Sequence, residues 1–299
     1  MKIKKLCKRV LSKLIVKGFL NFLQDKQFLK LRYWLEMERR LNLEPPQTFN
    51  EKLQWLKLYD RNPEYVKMVD KYEVRKYIAE KIGEEYLIPL LGVWDSFDEI
   101  DFEKLPNQFV LKCTHDSGGL VICKDKSRLD IAKTKKKINK CLKRNFYYIT
   151  REWPYRNVKP RIIAEQYMVP ESGADIADYK VHNFNGKSGL VLVCDGRFSP
   201  EGLTEDFYDI SWNHMNIKRP DIPNKQKQHQ RPATLEKMIE LSEILAKDIP
   251  FVRTDFYEID GKIYFGEITF FPASGMKAFV PEKWDYKFGG MILLDENHI

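Results

Sequence analysis

FVRTDFYEIDGKIYFGEIT, residues 251–269, is the stretch on which the reading of this chain turns. Two runs rich in β-formers flank Asp260-Gly261, a dipeptide that favours a tight two-residue turn, so the segment forms a β-hairpin. The hairpin places Asp255 and Glu267 on neighbouring strands, and the turn sets Asp255 opposite a residue close to Glu267. Opposed like charges destabilise a sheet unless something positive lies between them. A hard cation with oxygen ligands meets that need, and Mg²⁺ takes one or two carboxylates while keeping positions for phosphate oxygens. Two other arrangements stay open: the carboxylates point to opposite faces, or one of them pairs with Arg253.

Working outward from the hairpin, 234–246 carries Leu235, Ile239, Leu241 and Leu245 at helical spacing. Before it, 179–184 and 188–193 read as strands around the turn signal Asn185-Gly186, and 109–112, 119–123 and 161–165 are further short strands. The strands form a hairpin-rich antiparallel layer beyond Gly92. Helices dominate the first third. Pro45-Pro46 ends a leading helical region, Thr48-x-x-Glu51 opens the next helix as a capping box, and another helix starts near Asp70 and runs through Val74 and Ile78 toward Ile82.

The chain has 299 residues, 43% of them hydrophobic and 31% charged, which predicts one compact catalytic body of two or three lobes. Its formal charge of +8 is partly local, because Lys2, Lys4, Lys5, Lys8, Arg9, Lys13 and Lys17 all precede the first acid, Asp25. Ile3, Leu6, Val10 and Leu14 fall at helical spacing among these lysines, an amphipathic pattern that either lies on anionic lipid or docks on its own protein. Lys13 and Lys17 interrupt the apolar run, so no span or signal peptide is expected here. The lysine-rich segment 131–144 has no interleaved aromatics to stack bases, and a solvated helix face is expected there rather than a nucleic-acid site. Cys7, Cys113, Cys123, Cys141 and Cys194 show neither metal nor disulfide spacing, which fits reduced thiols in a cytosol.

Two more elements carry polar groups suited to a nucleotide. Lys112 ends a strand and is followed by a loop with Ser117, Gly118 and Gly119, whose backbone N–H groups suit phosphates. The strand at 162–166 leaves its sheet toward Met168 and the polar loop 170–175, and free backbone groups there suit an adenine edge. Each alone is also what an ordinary hairpin or strand end looks like.

Their order, with FNEKLQWLKLYD (49–60), DKY (70–72), DYKV (178–181) and EITFFPASG (267–275), resembles the ATP-grasp superfamily, in the branch similar to the teichuronopeptide-biosynthesis protein TupA. The resemblance runs from about Phe49 to the C-terminus. It implies an α+β ATP-grasp fold: a basic helical N-terminal region over 1–48, a helical lobe over 49–100, a small antiparallel grasping lid over 101–168 and a larger central α+β domain over 169–299. It makes Lys71 and Lys112 triphosphate contacts, with Ser117, Gly118 and Gly119 closing over the phosphates. Glu165, Gln166 and the backbone to Met168 frame the adenine, and Asp178 or Glu171 takes the ribose, Asp178 being favoured. Lys180 reaches the γ-phosphate, and Arg253 stabilises the transferring phosphoryl group. Asp255, Glu267 and Thr269 hold Mg²⁺, although relatives carry asparagine where this chain has Thr269. Ser274 and Gly275 lie where relatives hold the second substrate. The implied reaction is ATP- and Mg²⁺-dependent joining of a carboxylate to an amine through an acyl phosphate, with an anionic glycan or sugar carboxylate of a bacterial surface polysaccharide and an amine or amino acid as substrates. The implied place is the cytoplasm, at the inner membrane face if the N-terminal helix binds lipid. A glycan-pathway kinase or transferase is the alternative.

Overall fold

A computed structural model describes residues 10–173, 175–197, 199 and 201–295. Helices come first: α1 (Asp25–Met37), α2 (Phe49–Tyr59), α3 (Glu64–Val69) and α4 (Val74–Lys81). The capping box forms as its spacing predicts, with Thr48 Oγ1 accepting from Glu51 N–H at 3.2 Å and Glu51 Oε2 accepting from Thr48 N–H at 3.0 Å. The helix expected from near Asp70 is α4, which begins at Val74, and α3 lies ahead of Asp70. Asp70 turns its carboxylate onto the Tyr72 N–H at 2.8 Å and onto Arg161 at 2.9 Å, while its carbonyl accepts from the Val74 N–H at 2.9 Å, so the regular helix starts only at Val74.

Next come β1 (Leu90–Trp94), β2 (Phe109–Cys113), β3 (Leu120–Cys123), α5 (Ile131–Leu142), α6 (Tyr147–Thr150) and β4 (Ile162–Gln166). The four strands form an antiparallel sheet in the order β1-β4-β2-β3. One face, with Phe109, Leu111, Ile162 and Ala164, packs on Ile138 and Cys141 of α5. The other face carries Lys112 and Glu165. Strand β1 lies ahead of residue 101 and pairs with β4.

The last part holds β5 (Asp178–Phe184), β6 (Lys187–Asp195), β7 (Thr204–Asp209), β8 (His214–Met215), α7 (Leu235–Leu245), β9 (Phe251–Ile259), β10 (Lys262–Thr269) and α8 (Lys283–Met291). Its six strands form an antiparallel sheet in the order β10-β9-β5-β6-β7-β8. Both turn signals act as read: Asn185 and Gly186, and Asp260 and Gly261, all have positive φ.

Side chains alternate across this sheet. Val181, Asn183 and Thr254 face α7, where Ser242 Oγ bonds Asn183 at 2.9 Å and Thr254 at 2.5 Å. Lys180, His182, Arg253 and Asp255 therefore share the opposite face. Helix α2 is almost wholly buried; Phe49 meets the Phe251 ring edge-on at 4.9 Å, and Asp285 of α8 accepts from the Asn50 N–H at 3.0 Å.

Of the N-terminal pattern, 10–16 is helical, and Leu11 and Ile15 pack toward Phe28 and Leu35 of α1. Lys2 through Arg9 lie outside the described residues. Among the described residues no helix is long and apolar enough to cross a membrane.

Candidate active site

The 251–269 hairpin closes with Ile259 opposite Lys262. Continued unchanged, that register would set Asp255 against Gly266 and put Glu267 on the far face with Thr254. Instead the register slips by one residue between Phe265 and Glu267, so that Glu267 pairs with Asp255 and Thr269 with Arg253. A bulge at Gly266 thus decides which face Glu267 joins. The alternative of opposite faces is removed. Gly266 suits the place because even a Cβ there would lie 3.1 Å from the Asp255 carbonyl.

Strand β5 completes two rungs. Lys180 stands beside Asp255 and His182 beside Arg253. Lys180 Nζ donates to both Asp178 and Asp255. Arg253 grips Asp255 with two bonds, Nε to Oδ1 at 2.6 Å and Nη2 to Oδ2 at 2.7 Å, and its Nη2 also reaches Glu267 and Thr269 Oγ1, each at 3.1 Å. Pairing with Arg253 and sharing a face are therefore both realised.

Charge balance follows from burial. Asp255 is 1% exposed; burial pushes its carboxyl up, but Arg253 and Lys180 outweigh that and hold it below the usual carboxylate range. Burial likewise pulls Lys180 down, and Asp255 with Asp178 raises it above an ordinary lysine. The Asp178 carboxyl is raised by burial, and its Oδ1 has no hydrogen-bond partner. Burial and the Arg253 charge keep His182 neutral, and its Nδ1–H donates to the Lys180 carbonyl at 3.0 Å.

Glu267 keeps 41% of its side chain exposed and opens onto a narrow cleft between the two sheets. Lys71, Lys112, Arg75, Tyr155 and Glu165 line the other walls. Lys112 Nζ lies 2.5 Å from Glu165 Oε2, Arg75 Nη1 lies 3.3 Å from Oε1, and Lys71 Nζ donates to the Asp116 carbonyl at 3.1 Å. The Glu165 carboxylate thus faces two cations. Gln166 is exposed, and its N–H donates to the Pro89 carbonyl at 3.0 Å, while Met168 is half-buried just beyond the strand.

In the glycine loop Ser117 and Gly118 are exposed, and the Ser117 N–H bonds the Asp116 carboxylate at 2.8 Å. Gly119 is buried, and a Cβ there would lie 2.5 Å from Cys113 Sγ, so the loop needs glycine to pack. Glu171 is exposed beyond β4, its N–H held by the Asp260 carboxylate at 3.2 Å, whereas Asp178 sits beside Lys180. Ser274 and Gly275 follow β10 in a turn where Ala273, Ser274 and Gly275 all have positive φ. For the two non-glycine residues that conformation costs roughly 1–2 kcal/mol each.

The carboxylate pair suits a hard cation. All its donors are oxygen, and each carboxylate retains lone pairs beyond those that Arg253 and Lys180 use. No group of three or more His, Cys, Asp or Glu residues able to hold a metal occurs among the described residues. The chain thus offers two carboxylates and Thr269 Oγ1, leaving other positions to phosphate and water, as Mg²⁺ commonly does.

Arg75 and Tyr155 had no distinguishing signal in the sequence. The buried polar pair Gln54 and Lys57 lies inside the motif FNEKLQWLKLYD, where nothing in the sequence marks either residue as interior.

The family model described as TupA-like ATPgrasp matches residues 51–293. The chain belongs to that family. Its ATP-grasp fold accounts for the two antiparallel sheets with the cleft between them. No curated protein matches in sequence. Among solved structures, a D-alanine–D-alanine ligase from Bacillus anthracis complexed with ATP is similar at 16% identity and TM-score 0.39, over 75% of this chain and 58% of that one. The same enzyme from Helicobacter pylori is similar at 14% identity and TM-score 0.41, over 82% of this chain and 69% of that one. An N5-carboxyaminoimidazole synthase from Aspergillus clavatus, in complex with ADP and 5-aminoimidazole ribonucleotide, is similar at 12% identity and TM-score 0.37, over 68% of this chain and 44% of that one. The TupA-like chain spans 58% of the first of these.

Proposed function

We propose that this TupA-like protein is an ATP- and Mg²⁺-dependent carboxylate–amine ligase. The observation that carries the reading is the bulge-set pairing of Asp255 with Glu267, flanked by Lys180 and Arg253, at the mouth of a cleft that also holds Lys71 and Lys112. Family membership supplies the nucleotide.

A carboxylate is a poor electrophile because its leaving group would be oxide. Transfer of the γ-phosphoryl group to a carboxylate oxygen releases ADP and makes an acyl phosphate. The amine nitrogen then forms the amide bond, phosphate leaves with the C–O electron pair, and the amine gives up a proton. Mg²⁺, held by Asp255 and Glu267, supplies charge neutralisation at the phosphates. Lys71 and Lys112 bind the triphosphate, with Ser117, Gly118 and Gly119 over it. Glu165, Gln166 and Met168 border the adenine, and Asp178 takes the ribose in preference to Glu171, its unsatisfied oxygen being the supporting feature. Lys180 and Arg253 carry positive charge to the transferring group and to the tetrahedral intermediate. Thr269 acts on the metal through its hydroxyl, and Ser274 and Gly275 border the second substrate.

The resemblance to teichuronopeptide biosynthesis favours a uronic acid carboxylate on a bacterial surface polysaccharide and an amino acid or other amine as partners. Incubation with ATP, Mg²⁺, a uronate-bearing glycan and amino acids should release ADP and phosphate; AMP, or phosphate retained on a product as a kinase would leave it, contradicts this reading. Lys112→Ala weakens MgATP binding about tenfold, near 1.4 kcal/mol, by direct titration. Unchanged affinity would take Lys112 out of the nucleotide site.

A cytoplasmic location at the inner membrane face is supported by exposed Val10, Val16, Phe19 and Phe22 next to Lys13 and Lys17. Co-sedimentation with vesicles containing phosphatidylglycerol should exceed that with phosphatidylcholine alone, and Phe19→Ser with Phe22→Ser should abolish the difference. Equal sedimentation with both vesicles contradicts it.

A further inference from the structure

The motif helix α2 drives a lysine into the interior. Lys57 is 0% exposed, and its Nζ donates to the Thr150 carbonyl at 3.1 Å, the Ser274 carbonyl at 2.9 Å and Ser274 Oγ at 2.8 Å. Three acceptors match the three donors of an ammonium group. One turn earlier on the same helix, Gln54 Nε2 donates to the Ser274 carbonyl at 3.0 Å and the Gly275 carbonyl at 2.8 Å. Burial pulls Lys57 down to about 7; the buried Glu152 carboxyl nearby opposes that shift, and the Arg32 charge adds to it. Lys57 and Gln54 thus both bond the left-handed turn at 273–275.

A core position that a leucine or methionine could fill gains nothing from a lysine, because charge is costly to bury. A turn that three glycines could adopt freely gains nothing from alanine and serine at positive φ. Strain of this kind persists where the surroundings over-determine it, and functional sites are where it gathers. This turn follows β10, with only Phe270, Phe271 and Pro272 between it and Thr269, which pairs with Arg253. Its inner side is tied to α2 through Ser274 and Gly275, and Ala273 faces outward, exposed.

We infer that Lys57 and Gln54 are positioning residues for the second substrate: they lock the 273–275 turn so that its outward side borders the acceptor subsite beside Arg253. The inference rests on the ligase reading for the identity of the subsite and on geometry alone for the lock. The Ser274 side chain is spent on the lock, so the acceptor is met by the turn's backbone rather than by the hydroxyl.

The test compares wild type, Lys57→Met and Gln54→Met, the last leaving the buried charges in place should the first fail to fold. Amide hydrogen exchange over 272–277 and the affinity for MgATP are measured on each. Exchange in the turn is expected to rise about tenfold or more, with MgATP affinity within about threefold of wild type. With D-glucuronate and glycine as probes, the KM of one of them should rise while the KM for ATP holds, a split that general loosening does not produce. Turn exchange equal to wild type, or loss of MgATP affinity in step with turn order, overturns the inference. Absence of ADP release by wild type with these probes counts against the ligase reading and leaves the exchange result to decide the lock.

Discussion

Asp255→Asn loses ADP-forming turnover by about three orders of magnitude while the protein stays folded. Asp255 is the one carboxylate that touches both cations of the site, Lys180 and Arg253, and it is also the buried member of the pair proposed to hold Mg²⁺. An amide keeps the size but has one acceptor oxygen and turns N–H donors toward cations. The lost charge is partly made up, since Asp178 still faces Lys180 and Glu267 still faces Arg253. Stability should therefore fall by about 3 kcal/mol, at the lower end of the cost of breaking a buried ion pair. Product release assays with a parallel thermal melt separate the two effects. Activity within about tenfold of wild type would move the metal away from this rung.

Arg253→Met lowers kcat by about two to three orders of magnitude and lowers the Mg²⁺ concentration needed for half-maximal rate. The two effects have opposite signs for one electrostatic reason. Arg253 lies against Asp255, Glu267 and Thr269 together, so in the resting site it competes with a metal for the same oxygens. Removing it leaves two carboxylates opposed across one rung with less positive charge between them, and their mutual repulsion is relieved by binding a cation more tightly. The transferring phosphoryl group, however, loses its guanidinium, and Met restores volume without charge. A Mg²⁺ titration of the steady-state rate checks both. A raised Mg²⁺ requirement would mean that Arg253 supports the metal rather than competes with it.

How much of this site was legible depended on whether local chemistry or tertiary placement fixes each residue. Asn185-Gly186, Asp260-Gly261 and the Thr48-Glu51 box act over two to four residues, and they appear where the sequence puts them. The shared face of Asp255 and Glu267 was expected for an incomplete reason: the turn alone sends them to opposite faces, and Gly266 bulges the strand to reunite them. A lone glycine inside a strand pattern is the signal that carried this information. Strands β1 and β7, and the two-residue β8, are not apparent in the sequence. LLGVW at 90–94 is only half-buried and broken by glycine, and TEDFYD at 204–209 is dominated by acids, so neither shows a clean apolar alternation. The helix expected from near Asp70 is present but begins at Val74, because the Asp70 carboxylate takes the Tyr72 N–H and a turn fills 71–73.

Placement in space explains the remainder. Lys57 reads in one dimension as the polar face of an amphipathic helix, and only the arrival of the 150 and 274 backbones around it reveals an interior ammonium. Arg75 and Tyr155 enter the cleft from separate segments without any motif. Glu165 was expected at the adenine frame, and its strand does line the cleft, with the carboxylate turned toward Lys112 and Arg75.

The central claim, that a carboxylate is activated by phosphoryl transfer, is tested most directly by isotope transfer. A uronate substrate labelled with ¹⁸O in its carboxylate is turned over with ATP, Mg²⁺ and an amine, and the released phosphate is analysed. Attack of the carboxylate on the γ-phosphorus predicts one ¹⁸O in the inorganic phosphate, with the other oxygen kept in the amide. Unlabelled phosphate, or label appearing in AMP, would contradict the account.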